Sequence, residues 1–170
     1  LGHGREAREP GAQNWRFRVP DGETIAFTDA LRGPQAFVAG RDFGDFLVWR
    51  RDGFPAYELA VVADDQAMGI TEVVRGDDLL DVTANQVHLQ KLLGYSTPVY
   101  GHVPLAVGDD GERLAKRHGA VTLVDLAAQG ISAAQVRDML WASLGQSGGA
   151  FSWDAVPRQP WVPPLTHGKS

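Results

Sequence analysis

Apolar and polar residues alternate strictly through Trp15-Arg16-Phe17-Arg18-Val19, which puts Trp15, Phe17 and Val19 on one face of a strand. Pro20-Asp21-Gly22 is turn chemistry, and residues 24–28 return as a second strand. Phe46-Leu47-Val48-Trp49 is another strand, closed by the turn residues Arg51-Asp52-Gly53. The front third is therefore a small β-rich lobe, and residues 1–13, without apolar period, read as a loop or frayed end. At Pro55 the pattern changes. Pro suits a first helical turn, residues 56–68 are apolar enough for a buried helix, and Gly69 ends it. Leu59-Ala60-Val61-Val62 alone fits a strand equally well.

Residues 70–74 are β-branched and predict a buried strand running into Arg75-Gly76. Thr83-x-x-Gln86 reads as a capping box opening a helix that packs Val87 with Leu92 or Leu93 and stops at Gly94. Residues 99–107 supply one or two more strands, and Asp110-Gly111 turns the chain. Helix, strand, helix, strand is the order of an α/β doubly wound parallel sheet. Thr122 caps a short helix ending at Gly130, and Ser132 caps another with Val136, Met139, Leu140 and Leu144 as one apolar stripe. Residues 147–170 are rich in Gly and Pro and predict an extended tail.

Composition narrows the function. At 170 residues the chain forms one substantial domain or parts of two. No apolar run approaches membrane-span length, so no membrane partner is expected. The absence of cysteine excludes disulfides and thiolate metal sites and fits a reducing, cytoplasmic setting. A net charge of −5 argues against a general nucleic-acid coat, leaving RNA contact to local patches. The chain begins with Leu, and a front portion is expected to precede it.

Against that acidic background, Arg113, Lys116, Arg117 and His118 gather between Gly111 and Gly119. Such a loop suits a polyphosphate, with Lys as point charge and Arg as planar fork, or is a solvated basic turn. Arg75 falls at the end of the predicted strand, where open α/β sheets bind ligands. It could hold a carboxylate bidentately or form a structural ion pair with Asp77 or Asp78. Tyr57 could offer its hydroxyl to the same crevice or belong to the core. Asp64-Asp65 and Asp77-Asp78 are adjacent pairs without a third oxygen ligand, and His88 and His102 lack metal spacing and read as packing or surface residues. General acid–base chemistry is not indicated. An enzyme with these residues works by positioning and by stabilising charge at a phosphate centre.

Five stretches, in order, resemble the class I glutamyl-tRNA synthetase family. They are Phe27-Thr28-Asp29-Ala30-Leu31-Arg32-Gly33, Gly44-Asp45-Phe46-Leu47-Val48, residues 55–65, residues 68–78, and Leu114-Ala115-Lys116-Arg117-His118-Gly119-Ala120. The last is similar to the mobile KMSKS loop, to which Arg113 also belongs. Two features resemble the shortened glutamyl-queuosine tRNA(Asp) synthetase subfamily: Glu72 with Leu79-Leu80-Asp81, where discriminating glutamyl enzymes carry His, and the brief chain after the loop.

The resemblance implies the second half of a Rossmann-type catalytic domain at 55–120, preceded by the β-rich remainder of an acceptor-end lobe at 1–54 and followed by a short helical segment and tail at 121–170. It implies that ATP, with Mg, and L-glutamate give glutamyl-adenylate, and that glutamate passes to the queuosine base of tRNA(Asp). By matching position, Tyr57 and Arg75 hold glutamate and Lys116 contacts ATP. The family's HIGH-type motif and the Cys and Tyr ligands of its zinc would lie upstream of Leu1. This chain alone is therefore expected to be inactive, and a monomer is expected. Rivals are a truncated discriminating glutamyl-tRNA synthetase charging tRNA(Glu), and a non-catalytic RNA- or partner-binding module.

Overall fold

Four short strands open the chain: β1 (Trp15–Phe17), β2 (Thr24–Asp29), β3 (Gly33–Val38) and β4 (Phe46–Trp49). The structure, a computed structural model, describes residues 13–108, 111, 113–114, 122–147, 150 and 152–161. β1 and β4 form a two-stranded antiparallel sheet. Alternation along β1 holds as expected: Trp15 and Phe17 are partly buried, Val19 is buried, and the arginines between them face solvent.

β3 was not foreseen because Pro34 lies inside it. Pro cannot donate to a ladder, yet β3 is the edge of a four-stranded sheet ordered β3-β2-β6-β5, where that donor is not required. The β2–β3 hairpin is closed by the buried Asp29, whose Oδ1 accepts from the Leu31 and Arg32 N–H groups at 2.9 and 2.8 Å. Gly33 leaves that turn with φ 72°, open to glycine at little cost.

Helix α1 (Tyr57–Met68) begins after Pro55 and ends at Gly69 in the left-handed conformation, as the pattern predicts. β5 (Glu72–Gly76) runs into a 3-10 turn at Asp77–Leu79, and α2 (Val82–Leu93) leads to β6 (Val99–Val103). The predicted cap of α2 is wrong. Asp81 caps it through Val82 N–H, while the Thr83 hydroxyl donates back to Leu79 O at 2.8 Å. A hydroxyl at the second helical position reaches a preceding carbonyl as readily as a free N–H. The buried face of α2 also differs: Val87 is inside, but Leu92 and Leu93 are exposed and Leu89 takes their place.

The sheet is mixed rather than purely parallel. β2 pairs antiparallel with β3 and parallel with β6, at Asp29 opposite Tyr100. Two small cores follow: Val19, Ala39, Phe46, Val62 and Leu89 form one, and Ile25, Ala84, Val87 and Tyr100 the other. Tyr100 is fully buried and its hydroxyl accepts from Gln90 Nε2 at 3.0 Å.

By contacts the chain divides into two units, residues 1–74 with 79–101, and residues 75–78 with 102–170. The second contains α3 (Leu123–Ala128) and α4 (Ala133–Ser143), each opened by a full capping box, Thr122 with Asp125 and Ser132 with Gln135. Val136 of the expected stripe is buried, but Leu140 is 40% exposed. After α4, buried Gln146 ties down the following segment: its amide donates to Leu144 and Ser152 carbonyls and accepts from Ser152 N–H.

Candidate active site

Arg75 and Gly76 are the last residues of β5, and His102 lies on the neighbouring strand β6. His102 is completely buried, and its Nε2 accepts a hydrogen bond from Arg75 Nε at 3.1 Å. A guanidinium only donates, so Nε2 must carry the lone pair, which puts the imidazole hydrogen on Nδ1. This bond was not read from the sequence, where His102 passed as a packing or surface residue. The signal available was a polar ring one strand position from a buried Tyr-Gly pair, at the strand's carboxyl end.

Next to Arg75 the backbone is tightly approached. A Cβ on Gly76 would sit 2.6 Å from Asp78 Oδ1 and 3.1 Å from Leu105 Cδ2. Asp78 in turn accepts from Arg113 Nη1 through Oδ2 at 2.6 Å. Arg113 is two-thirds exposed, so the pair contributes little stability, about 0–1 kcal/mol. What it does is fix position. Val107 and Arg113 bridge antiparallel, Leu114 N–H donates to Ala106 O at 3.0 Å, and Gly111 turns between them at φ 76°. The base of the basic loop is thus a tight turn tied to the strand end that carries Arg75. Ala115, Lys116 and Arg117 lie outside the described residues.

Tyr57 is the first residue of α1 and is 50% exposed, so it is not a core tyrosine. Its backbone is set by Ala56, whose N–H donates to Val48 O at 2.9 Å. Tyr57 belongs to the first unit and Arg75 to the second. Of the acidic pairs, Asp78 is engaged by Arg113, and among the described residues no three carboxylate or imidazole groups gather as a metal would require. Among the described residues no helix is long and apolar enough to cross a membrane.

The catalytic-domain model of the class I tRNA synthetases (E and Q) matches residues 4–141. The chain belongs to that family. It is 54% identical over 130 residues to the glutamyl-Q tRNA(Asp) synthetase of Symbiobacterium thermophilum, covering 75% of this chain and 40% of that protein. It is 46% identical over 156 residues to the protein of the same name from Nitratidesulfovibrio vulgaris, covering 92% of this chain and 45% of the relative. The chain spans about two fifths of the length of the curated relatives it matches. The fold is similar to part of a glutamate-tRNA synthetase from Elizabethkingia anophelis, with TM-score 0.67 at 23% identity over 86% of this chain and 36% of the other. Class I synthetase membership and the mixed α/β fold expected from the motifs are both established by these similarities.

Proposed function

We propose that this chain is part of the catalytic domain of an ATP-dependent ligase that activates L-glutamate as glutamyl-adenylate and transfers glutamate to the queuosine base of tRNA(Asp). The observation that carries the reading is Arg75, a guanidinium at a strand's carboxyl end, steered by a buried neutral acceptor. Such a fork fits a carboxylate in a bidentate pair, and a neutral amide would leave one prong unmatched. The names of the relatives support both the amino acid and the tRNA.

In this reading, Arg75 holds the glutamate, and Tyr57 is assigned to glutamate by its matching position in the family alone. The substrate's α-carboxylate attacks the α-phosphorus of ATP, and the electron pair of the breaking bond leaves on pyrophosphate. Mg bound with ATP would offset phosphate charge. Lys116, on the loop whose base is tied down by Arg113 and Leu114, meets the charge that builds on the leaving group. An interaction made in the transition state raises rate rather than affinity.

The test is glutamylation by the full-length gene product. Glutamate-dependent pyrophosphate exchange without tRNA, followed by transfer to tRNA(Asp) that disappears when queuosine is absent, is expected. Charging of tRNA(Glu) would refute the assigned RNA substrate, and no exchange at all would favour a non-catalytic module.

A further inference from the structure

We infer that a polar hollow in the β-rich lobe is a pocket for an unpaired guanine base of an RNA. That the base belongs to RNA rests on the proposed tRNA substrate. The hollow, about 360 Å³, lies where the chain leaves β1 and enters β4, and its lining includes Arg18, Asp21, Gly44 and Asp45. That volume is at the small end for ligand sites. Its walls are pinned. Val19 is buried in the core, and its N–H donates to Asp45 Oδ1 at 2.9 Å. Behind Asp21, Gly22 N–H donates to Ala39 O at 2.9 Å and Gly40 N–H to Phe43 O at 2.8 Å. Gly40 has φ 84°, and a Cβ there would stand 2.7 Å from Asp21 Oδ1, so the carboxylate packs directly on the glycine.

The charges at this hollow are not spent on one another. Among the described residues, Arg18 and Asp21 make no side-chain hydrogen bond or ion pair, and the Asp45 carboxylate is engaged only through Oδ1. A cation and an anion that share a hollow without meeting suit a ligand with an acceptor for one and donors for the other. One guanidinium stands against two carboxylates, and that net negative balance disfavours a phosphate and favours a neutral group rich in donors. Guanine alone among the RNA bases carries two adjacent N–H donors, at N1 and N2, which a carboxylate accepts as a pair. Its O6 and N7 are the acceptors that a guanidinium reads. Adenine and cytosine offer a carboxylate an amino group beside an acceptor that repels it, and uracil a single N–H between two carbonyls. Unpaired bases are the ones that proteins read in RNA by these edges.

The test titrates the full-length gene product with fluorescent RNA pentamers, uridine throughout except for a central guanosine, inosine or adenosine. Inosine lacks the 2-amino group. The guanosine pentamer is expected to bind about tenfold more tightly than the other two, the scale of one bidentate base contact. Asp21→Asn, which spoils the paired acceptor, and Arg18→Gln are each expected to erase the preference. Both side chains are exposed, so Tm and glutamate-dependent pyrophosphate exchange without RNA are expected to stay unchanged. No preference for guanosine in the parent, or a preference that survives both substitutions, would overturn the proposal. Guanosine monophosphate binding as tightly as the pentamer would overturn the assignment to RNA in favour of a free nucleotide. If the parent shows the guanosine preference but no exchange with glutamate, the ligase reading fails and the pocket stands.

Discussion

Adding one methyl group at Gly76 tests how the strand end and the base of the basic loop are joined. In Gly76→Ala the new Cβ would stand 2.6 Å from Asp78 Oδ1 and 3.1 Å from Leu105 Cδ2, both closer than ordinary contact. Both atoms are far ends of side chains, and Gly76 is not at positive φ, so relief comes by rotating Asp78 rather than distorting backbone. Rotation carries Oδ2 away from Arg113, breaking the 2.6 Å bond. Because that pair is exposed, the loss in stability is under about 1 kcal/mol, roughly 2–4 °C in Tm for a chain of this size. The effect on rate is larger, since a base free to shift misplaces Lys116. Pyrophosphate exchange by the full-length gene product is expected to fall about tenfold in kcat, with KM for glutamate within twofold. Asp78→Asn, which weakens the same link without adding bulk, should reproduce the direction. An unchanged kcat in both variants, or a Tm loss beyond about 5 °C in Gly76→Ala, would refute the argument that Asp78 yields and that its bond to Arg113 matters.

Other consequences are separable. Gly145→Ala should be far costlier than Gly76→Ala: Gly145 has φ 71° and a Cβ there would stand 2.2 Å from the backbone oxygen of Ala155, so about 3 kcal/mol or more is lost in urea denaturation. Lys116→Ala should lower the exchange rate by about a hundredfold while leaving glutamate affinity nearly unchanged, read by comparing exchange kinetics with equilibrium binding. The Asp42 carboxyl is held down at about 2 by hydrogen bonds first from Arg41 and then from Val38 N–H, against an ordinary 3.8. Because its folded pKa is lowered, the stability it contributes is present above that ordinary value and is lost as pH falls toward 2. A ¹³C carboxyl titration should give that midpoint, and Arg41→Ala should move it upward.

The chain shows which kinds of structure are written locally. α1, α3 and α4 were legible because Pro55, Gly69, Thr122 and Ser132 act within a turn of themselves. β3 was not, because Pro34 is forbidding in a central strand and harmless at an edge, and only the assembled sheet says which it is. The exposure of Leu92, Leu93 and Leu140 was hidden for a related reason: an apolar residue on a helix does not say whether a neighbour covers it. Arg75 could be picked out as a cation at a strand end, but its acceptor, His102, is 27 residues away and meets it only through the pairing of neighbouring strands. Arg113 and Leu114 of the signature loop are accounted for at its base, through Asp78 and the Ala106 carbonyl.

Selection of an acidic amino acid by Arg75 is most directly measured by pyrophosphate exchange with glutamate and glutamine in turn, using the full-length gene product and its Arg75→Leu variant. The account predicts strong preference for glutamate in the parent and a loss of about a hundredfold or more in kcat/KM for glutamate in the variant, with the discrimination largely erased. Equal use of both amino acids by the parent, or an unaltered preference after Arg75→Leu, would contradict it.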